Sequence, residues 1–168
     1  MIGSGGAGKS TLARRISEAA ALPLVHLDRL FWRPGWVATP REEWERQVAE
    51  LVAGARWVLD GNYGGTIALR LAAADTVVFL DVPRITCLRR AVVRALRSRR
   101  VPRPDMAPGC PERLDLEFLR WIWGYPRTRR PRVLELLADF ERAGGTAVVL
   151  RNRNEIESFL RSTGERAG

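Results

Sequence analysis

Gly3, Gly8, Lys9 and Ser10 stand in the order Gly-x4-Gly-Lys-Ser, with Thr11 next. Glycines at this spacing let successive backbone N–H groups turn inward around an anion, and a helix starting at the lysine adds its positive N-terminal end. In such a loop the backbone from Gly3 through Ser4, Gly5, Gly6, Ala7 and Gly8 cradles phosphates. Lys9 reaches the outer phosphates, and the Ser10 hydroxyl, with Thr11 beside it, faces Mg2+. Composition singles out the same residue: of 28 basic residues, 27 are arginine and only Lys9 is lysine. A guanidinium is planar and too large for the mouth of this loop, whereas a compact ammonium fits. The chemistry implied is phosphate binding, with ATP and Mg2+ as the expected cofactors.

The elements that must hold this loop follow from apolar spacing. A helix is predicted over 9–21, a short strand over 24–27 ending at Asp28, and an irregular Trp- and Pro-broken loop over 29–38. Thr39-Pro40-Arg41-Glu42 reads as a capping box with Pro at the first helical position. The helix it opens repeats Trp44, Val48, Leu51 and Val52. A strand over 56–60 ends at Asp60 and the turn Gly61-Asn62. A short helix over 66–73 leads to the continuous apolar run 76–81, of the kind buried on both faces. A basic helix over 85–99 carries one stripe of Leu88, Val92 and Leu96 and another of Arg90, Arg94 and Arg97. Residues 101–112 are Pro-rich and irregular. Helices over 114–123 and 131–142, a strand over 146–150 and a helix over 155–160 complete the chain. Strands separated by helices predict a parallel α/β sheet with right-handed crossovers. A strand of about five residues should precede the glycine loop, yet only Met1 and Ile2 do. The expectation is a chain that begins late, at an internal Met or a mis-assigned start.

Length and charge narrow the function. At 168 residues the chain suits one domain over 1–168. No apolar run approaches the ~18 residues of a membrane span. Cys87 and Cys110 form neither a CxxC pair nor a disulfide framework, so the expected setting is a reducing cytoplasm and not a secreted, membrane or zinc-finger protein. The net charge of +9 is uneven. Residues 82–132 hold 14 Arg and four acidic residues, while the rest of the chain is close to neutral. Such a block suits a lid over polyphosphate or a nucleic-acid surface.

The loop together with Leu59-Asp60-Gly61 and Phe79-Leu80-Asp81-Val82-Pro83 resembles the nucleoside monophosphate kinases, adenylate kinase above all. Four further stretches are similar to bacterial DNA topology modulation proteins, an adenylate-kinase-like group: 23–32, 60–64, 103–106 and 110–121. The resemblance covers nearly the whole chain. It implies a three-layer P-loop NTPase fold of the nucleoside monophosphate kinase type, with parallel sheet order 2-3-1-4-5 and the first strand largely missing. It implies that Asp60 holds Mg2+ through water, with Asp81 the weaker candidate. It places Arg90 and Arg94 at the base of a lid, one against adenine and one on phosphate, and makes Arg127, Arg129 and Arg130 candidate lid arginines in a helical, Arg-rich segment over about 100–130. Arg151, in the loop 151–154, falls where such kinases cradle adenine.

One departure bears on the acceptor. Asn62-Tyr63 stands where adenylate kinases have Phe-Pro-Arg, so an acceptor-phosphate arginine is absent from its usual place, and Arg33 and Arg70 are the candidates to replace it. Asp28, where other small P-loop kinases place a general base, argues for a hydroxyl acceptor. The alternative for Asp28 is a solvated carboxylate pairing Arg29 or Arg33. Trp32, Trp36 and Tyr63 either stack on a base or cover the sheet edge. His26 is expected to be a packed, hydrogen-bonded strand histidine, and Cys110 a structural thiol before a reactive one. The reading that follows is Mg-ATP-dependent phosphoryl transfer to a small acceptor, first of all a nucleoside monophosphate. The rival is a nucleotide-dependent regulator of DNA topology that grips a phosphodiester backbone with Arg97, Arg99, Arg100 and Arg103, and a third possibility is a truncated, inactive relative.

Overall fold

The computed structural model describes residues 1–97, 105–111 and 115–165. Strand β1 (Ile2–Gly3) runs through the glycine loop into helix α1 (Lys9–Ala20), which buries Leu12 and Ala13. Strand β2 (Leu24–His26) is followed by a short helix, α2 (Leu27–Phe31), where irregular chain was expected. Asp28 therefore sits in a helical first turn and not at the end of a strand. A two-stranded antiparallel hairpin of β3 (Trp32–Arg33) and β4 (Val37–Ala38) comes next.

Helix α3 (Arg41–Val52) starts without the expected capping box: Pro40 occupies the cap and no side chain bonds the first turn. The Thr39 hydroxyl points backward, donating to Phe31 O at 2.7 Å and Leu30 O at 3.2 Å. It satisfies carbonyls that the end of α2 leaves without helical partners. Beyond it lie β5 (Val58–Asp60), a 3-10 turn over 64–66, α4 (Ile67–Ala73), β6 (Thr76–Leu80) and α5 (Arg84–Arg97). Helices α6 (Leu116–Thr128) and α7 (Arg130–Arg142), strand β7 (Thr146–Leu150) and helix α8 (Arg153–Glu165) close the chain.

The main strands pair in parallel, β1 with β6, β6 with β7, and β2 with β5. The two groups meet at Met1, whose α-amine donates to Leu59 O at 2.8 Å and whose carbonyl accepts from Gly61 N–H at 3.2 Å. Alternate residues of β6 point to opposite faces. Val78 and Leu80 enter a core with Leu12, Cys87, Ala91, Ile122, Leu150 and Leu160. Val77 and Phe79 enter another with Ile2, Tyr125, Leu137 and Phe140. The strands thus lie between helices on both faces, an α/β arrangement.

Helix α5 is rotated from its expected setting. Its buried face is Cys87, Ala91 and Ala95, while Leu96 is 56% exposed. The reason is proximity: a Cβ placed on Gly6 would lie 2.2 Å from the Cys87 carbonyl oxygen. Only small side chains fit on the helix face that passes this close to the loop. The same rotation turns Arg90 and Arg94 toward the loop.

Candidate functional site

The loop joining β1 to α1 bends through Gly6 (φ +76°) and Gly8 (φ +103°), backbone geometry that side chains with a Cβ resist. At its mouth Lys9 folds back, and its Nζ donates to Gly3 O and Ser4 O, both at 3.0 Å. Burial lowers the Lys9 pKa, against the pull of the Asp60 and Asp28 carboxylates, and Arg94 lowers it further. Arg90 Nη1 donates to Ala7 O at 3.0 Å, so one cation of α5 already lies against the loop.

Strand pairing builds the acidic side. The parallel register sets His26 of β2 opposite Asp60 of β5. His26 Nδ1 lies 2.9 Å from Asp60 Oδ2, while Asp60 Oδ1 is buried with no hydrogen-bond partner. Burial would raise this carboxyl, but the His26 contact, the Lys9 charge and the neighbouring Ser10 hydroxyl outweigh it and hold the group below its ordinary range. Asp60 is thus an ionised carboxylate with one oxygen spare, next to Lys9 and Ser10.

Asn62, two residues on, clamps the loop from this side. Its Oδ1 accepts from Gly3 N–H at 2.9 Å and its Nδ2 donates to Gly3 O at 2.8 Å. The side-chain amide stands in for a strand residue on the edge of β1, and the Gly3 carbonyl is shared between Asn62 and Lys9.

A cavity of about 730 Å³ opens over these groups, within the size range of small-molecule sites. Gly5, Gly6, Gly8, Lys9, Ser10 and Thr11 form its floor, Arg90 and Arg94 line it from α5, and Phe118 and Trp121 line it from α6. Asp28, Trp32, Trp36, Tyr63, Asp105 and Met106 form a further wall. That wall is held together locally. Tyr63 Oη donates to Asp28 Oδ1 at 2.5 Å, and the Tyr63 ring packs on Phe31 and Trp44 at 4.6 and 5.1 Å between centroids. Burial and then the Asp28 charge push the Tyr63 pKa far up, so its proton stays in place. Trp32 and Trp36 pack with Met106, Ala107 and Cys110. Trp36 Nε1 donates to Pro111 O at 3.3 Å, and Cys110 Sγ to Arg33 O at 3.2 Å. Cys110 is structural, as expected.

Four of the expected site residues lie elsewhere. Arg33 is on the surface, with Nη2 2.6 Å from both oxygens of Glu43, and does not line the cavity. Arg70 is buried and turned away from it. Its guanidinium donates to Gly61 O at 2.8 Å, Tyr63 O at 3.1 Å, Thr66 O at 3.4 Å and also Asn62 O, and burial pulls its pKa down to about 10. A guanidinium spent on four carbonyls braces the 61–66 turn and has no face left for an acceptor. Arg127 is exposed in the last turn of α6, outside the lining. Arg151 is also outside it: its N–H caps onto Glu155 Oε2 at 2.7 Å, and its Nε lies 3.9 Å from Asp81. Asp81 is gripped by Arg130 through contacts of 2.9 to 3.0 Å, and neither residue lines the cavity. Arg129 is exposed where α6 meets α7. Arg99, Arg100 and Arg103 lie outside the described residues, as does the start of the expected lid.

Sequence reasoning missed Asn62, Arg14, Asp105 and Phe118, and gave His26 no partner. The His26–Asp60 contact was readable from the register of two short strands ending together. The Asn62 clamp was not, because it depends on β1 presenting an edge to a side chain. Searches against protein-family models and against curated proteins found no match to this chain.

Proposed function

We propose that this chain is a phosphotransferase that moves the γ-phosphoryl group of ATP, with Mg2+, onto a small acceptor, in the manner of adenylate-kinase-like P-loop kinases. The observation that carries the reading is the position of the sole lysine: at the mouth of a Gly-x4-Gly-Lys-Ser loop, on the floor of the cavity, beside Ser10 and an ionised Asp60. Parallel order 2-3-1-4-5 belongs to this proposal. It is supported by the β2–β5 and β1–β6–β7 pairings together with the Met1 and Asn62 bonds that tie β1 to the end of β5.

Phosphoryl transfer asks a protein mainly for positioning and charge neutralisation. The loop N–H groups and the start of α1 receive the phosphates, and Lys9 exchanges two carbonyls for phosphate oxygens. Arg90 and Arg94 add positive charge from α5. Among the described residues no group of three or more His, Cys, Asp or Glu is arranged to hold a metal. Mg2+ keeps most of its water and binds through few protein groups plus phosphate. The Ser10 hydroxyl and the spare Oδ1 of Asp60 fit it, the latter through water. A Mg2+ ion held there would supply charge neutralisation on the phosphates.

The test is Mg-ATP binding and an acceptor screen read by mass spectrometry, with Lys9→Met as control. A phosphorylated product made by wild type and lost in Lys9→Met supports the reading. ATP binding without any product, accompanied by salt-sensitive DNA binding, would favour the regulator. Absence of ATP binding would sink both.

A further inference from the structure

The lysine and the buried carboxylate of the site stand close together without pairing. The Asp60 charge is felt at Lys9 and the Lys9 charge at Asp60. Even so, Lys9 Nζ bonds the carbonyls of Gly3 and Ser4, and among the described residues the ion-pair contact of Asp60 is with His26 alone. Opposite charges buried side by side attract strongly, because little water screens them. The Asp60 carboxylate is therefore held off the lysine, and the side chain bonded to it is the chain's one histidine.

Strand register supplies the restraint. His26 and Asp60 are the last residues of β2 and β5 and stand opposite each other in the parallel pair. An ionised carboxylate only accepts hydrogen bonds, so the 2.9 Å contact makes Nδ1 the donor and Oδ2 the acceptor. This bond is the largest of the influences that keep the carboxyl ionised against its burial. Asp60 lines the cavity and His26 does not, so the imidazole reaches the carboxylate from outside the space a ligand would fill. With Oδ2 fixed, the carboxylate cannot turn freely. Oδ1, buried with no hydrogen bond, keeps its lone pairs for another partner.

On the phosphoryl-transfer reading, on which this role rests, we propose that His26 is a positioning residue. It pins Oδ2 of Asp60, and so keeps Lys9 free for phosphate and Oδ1 free for a metal-bound water beside Ser10. Without the imidazole, Asp60 would be a buried carboxylate short of a donor, with the Lys9 ammonium at hand to satisfy it. An ion pair between the two would occupy both groups at once, and the phosphate and metal positions would be lost together. Mg2+ demands near-octahedral geometry, so a carboxylate that serves it through water has to be aimed. Outer partners that aim a ligand in this way carry about 10- to 100-fold in metal affinity.

The experiment measures ATP affinity by calorimetry, once with Mg2+ and once with EDTA. The proteins are wild type, Lys9→Met, His26→Leu, His26→Asn, Asp60→Asn and the double variant of His26→Leu with Asp60→Asn. The ratio of the two affinities separates the metal's share from packing, and thermal unfolding of each variant is read alongside. His26→Leu fills the space without a donor and is expected to lower that ratio by about 10- to 100-fold. His26→Asn, which sets an amide N–H where Nδ1 stands, is expected to recover most of it. In the double variant the ratio should fall no further than in Asp60→Asn, because His26 acts only through that carboxylate. The wild-type protein offers a second readout. With one histidine in the chain, its imidazole nitrogen signals in NMR are unambiguous, and they are expected to shift when Mg2+ is added to protein saturated with ATP. Equal losses with and without Mg2+ in His26→Leu, no rescue by His26→Asn, additive losses in the double variant, or imidazole signals that ignore Mg2+ would each overturn the positioning role and leave phosphoryl transfer standing. Wild-type ATP binding that responds neither to Mg2+ nor to Lys9→Met would overturn the parent reading and the positioning role with it.

Discussion

Replacing Asn62 with alanine isolates the clamp on the glycine loop. The change removes the acceptor for the Gly3 N–H and one of two donors to the Gly3 carbonyl. Gly3 is buried, so the N–H has no water to turn to. An orphaned buried donor costs about 1–3 kcal/mol, and the second bond about 1 more, because Lys9 still satisfies the carbonyl. The expected loss is therefore about 2–4 kcal/mol, which with a urea slope near 2 kcal/mol per molar lowers the unfolding midpoint by about 1–2 M. Shared ownership of the carbonyl adds a sharper expectation. Lys9→Met alone leaves Asn62 on Gly3 O, and Asn62→Ala alone leaves Lys9 on it, but the double variant orphans it. The double change should be worse than the sum of the singles by about 1 kcal/mol or more, measured as a double-mutant cycle. A loss under about 0.5 kcal/mol for Asn62→Ala, the range of ordinary surface changes, or strict additivity in the cycle, would refute the reasoning.

Two further outcomes are expected. A Cβ on Gly5 would lie 2.5 Å from Phe118 Cζ, whereas one on Gly6 would strike the Cys87 backbone. Gly5→Ala should cost about 1–3 kcal/mol and be rescued by Phe118→Leu, which leaves Gly6→Ala uncorrected in thermal unfolding. Arg70→Lys keeps the charge but cannot serve four carbonyls. A loss of about 3 kcal/mol, or about 6–12 °C in Tm, is expected with ATP affinity unchanged, and weakened ATP binding alone would mean that Arg70 acts in the site after all.

Local pattern made the glycine loop and most of the order of helices and strands legible, because each depends on spacing within one element, while the grouping of Asp60 with Ser10 and Lys9 was what the family resemblance implied. What stayed hidden depends on competition between partners. Arg33 and Arg70 looked alike in sequence as spare cations, and only the fold shows one beside Glu43 and the other over a turn of carbonyls. Thr39 had the right neighbours for a cap, but α2, itself unforeseen, offered its hydroxyl nearer acceptors. The stripe of Leu88, Val92 and Leu96 obeyed helical spacing, yet close approach of the loop at Gly6 reserved the inner face for Cys87, Ala91 and Ala95. Periodicity reports that a face is buried and says nothing of the distance to what covers it.

The inward fold of Lys9 also gives the molecule a chemical handle. It is the chain's only ε-amine, and burial lowers its pKa, so near neutral pH a larger share is unprotonated and nucleophilic than in an ordinary lysine. Its lone pair is exposed only when Nζ leaves the carbonyls of Gly3 and Ser4. The rate at which an acylating reagent labels this one side chain is therefore a clock for how often the loop lets go, and a polyphosphate held in the loop should stop it.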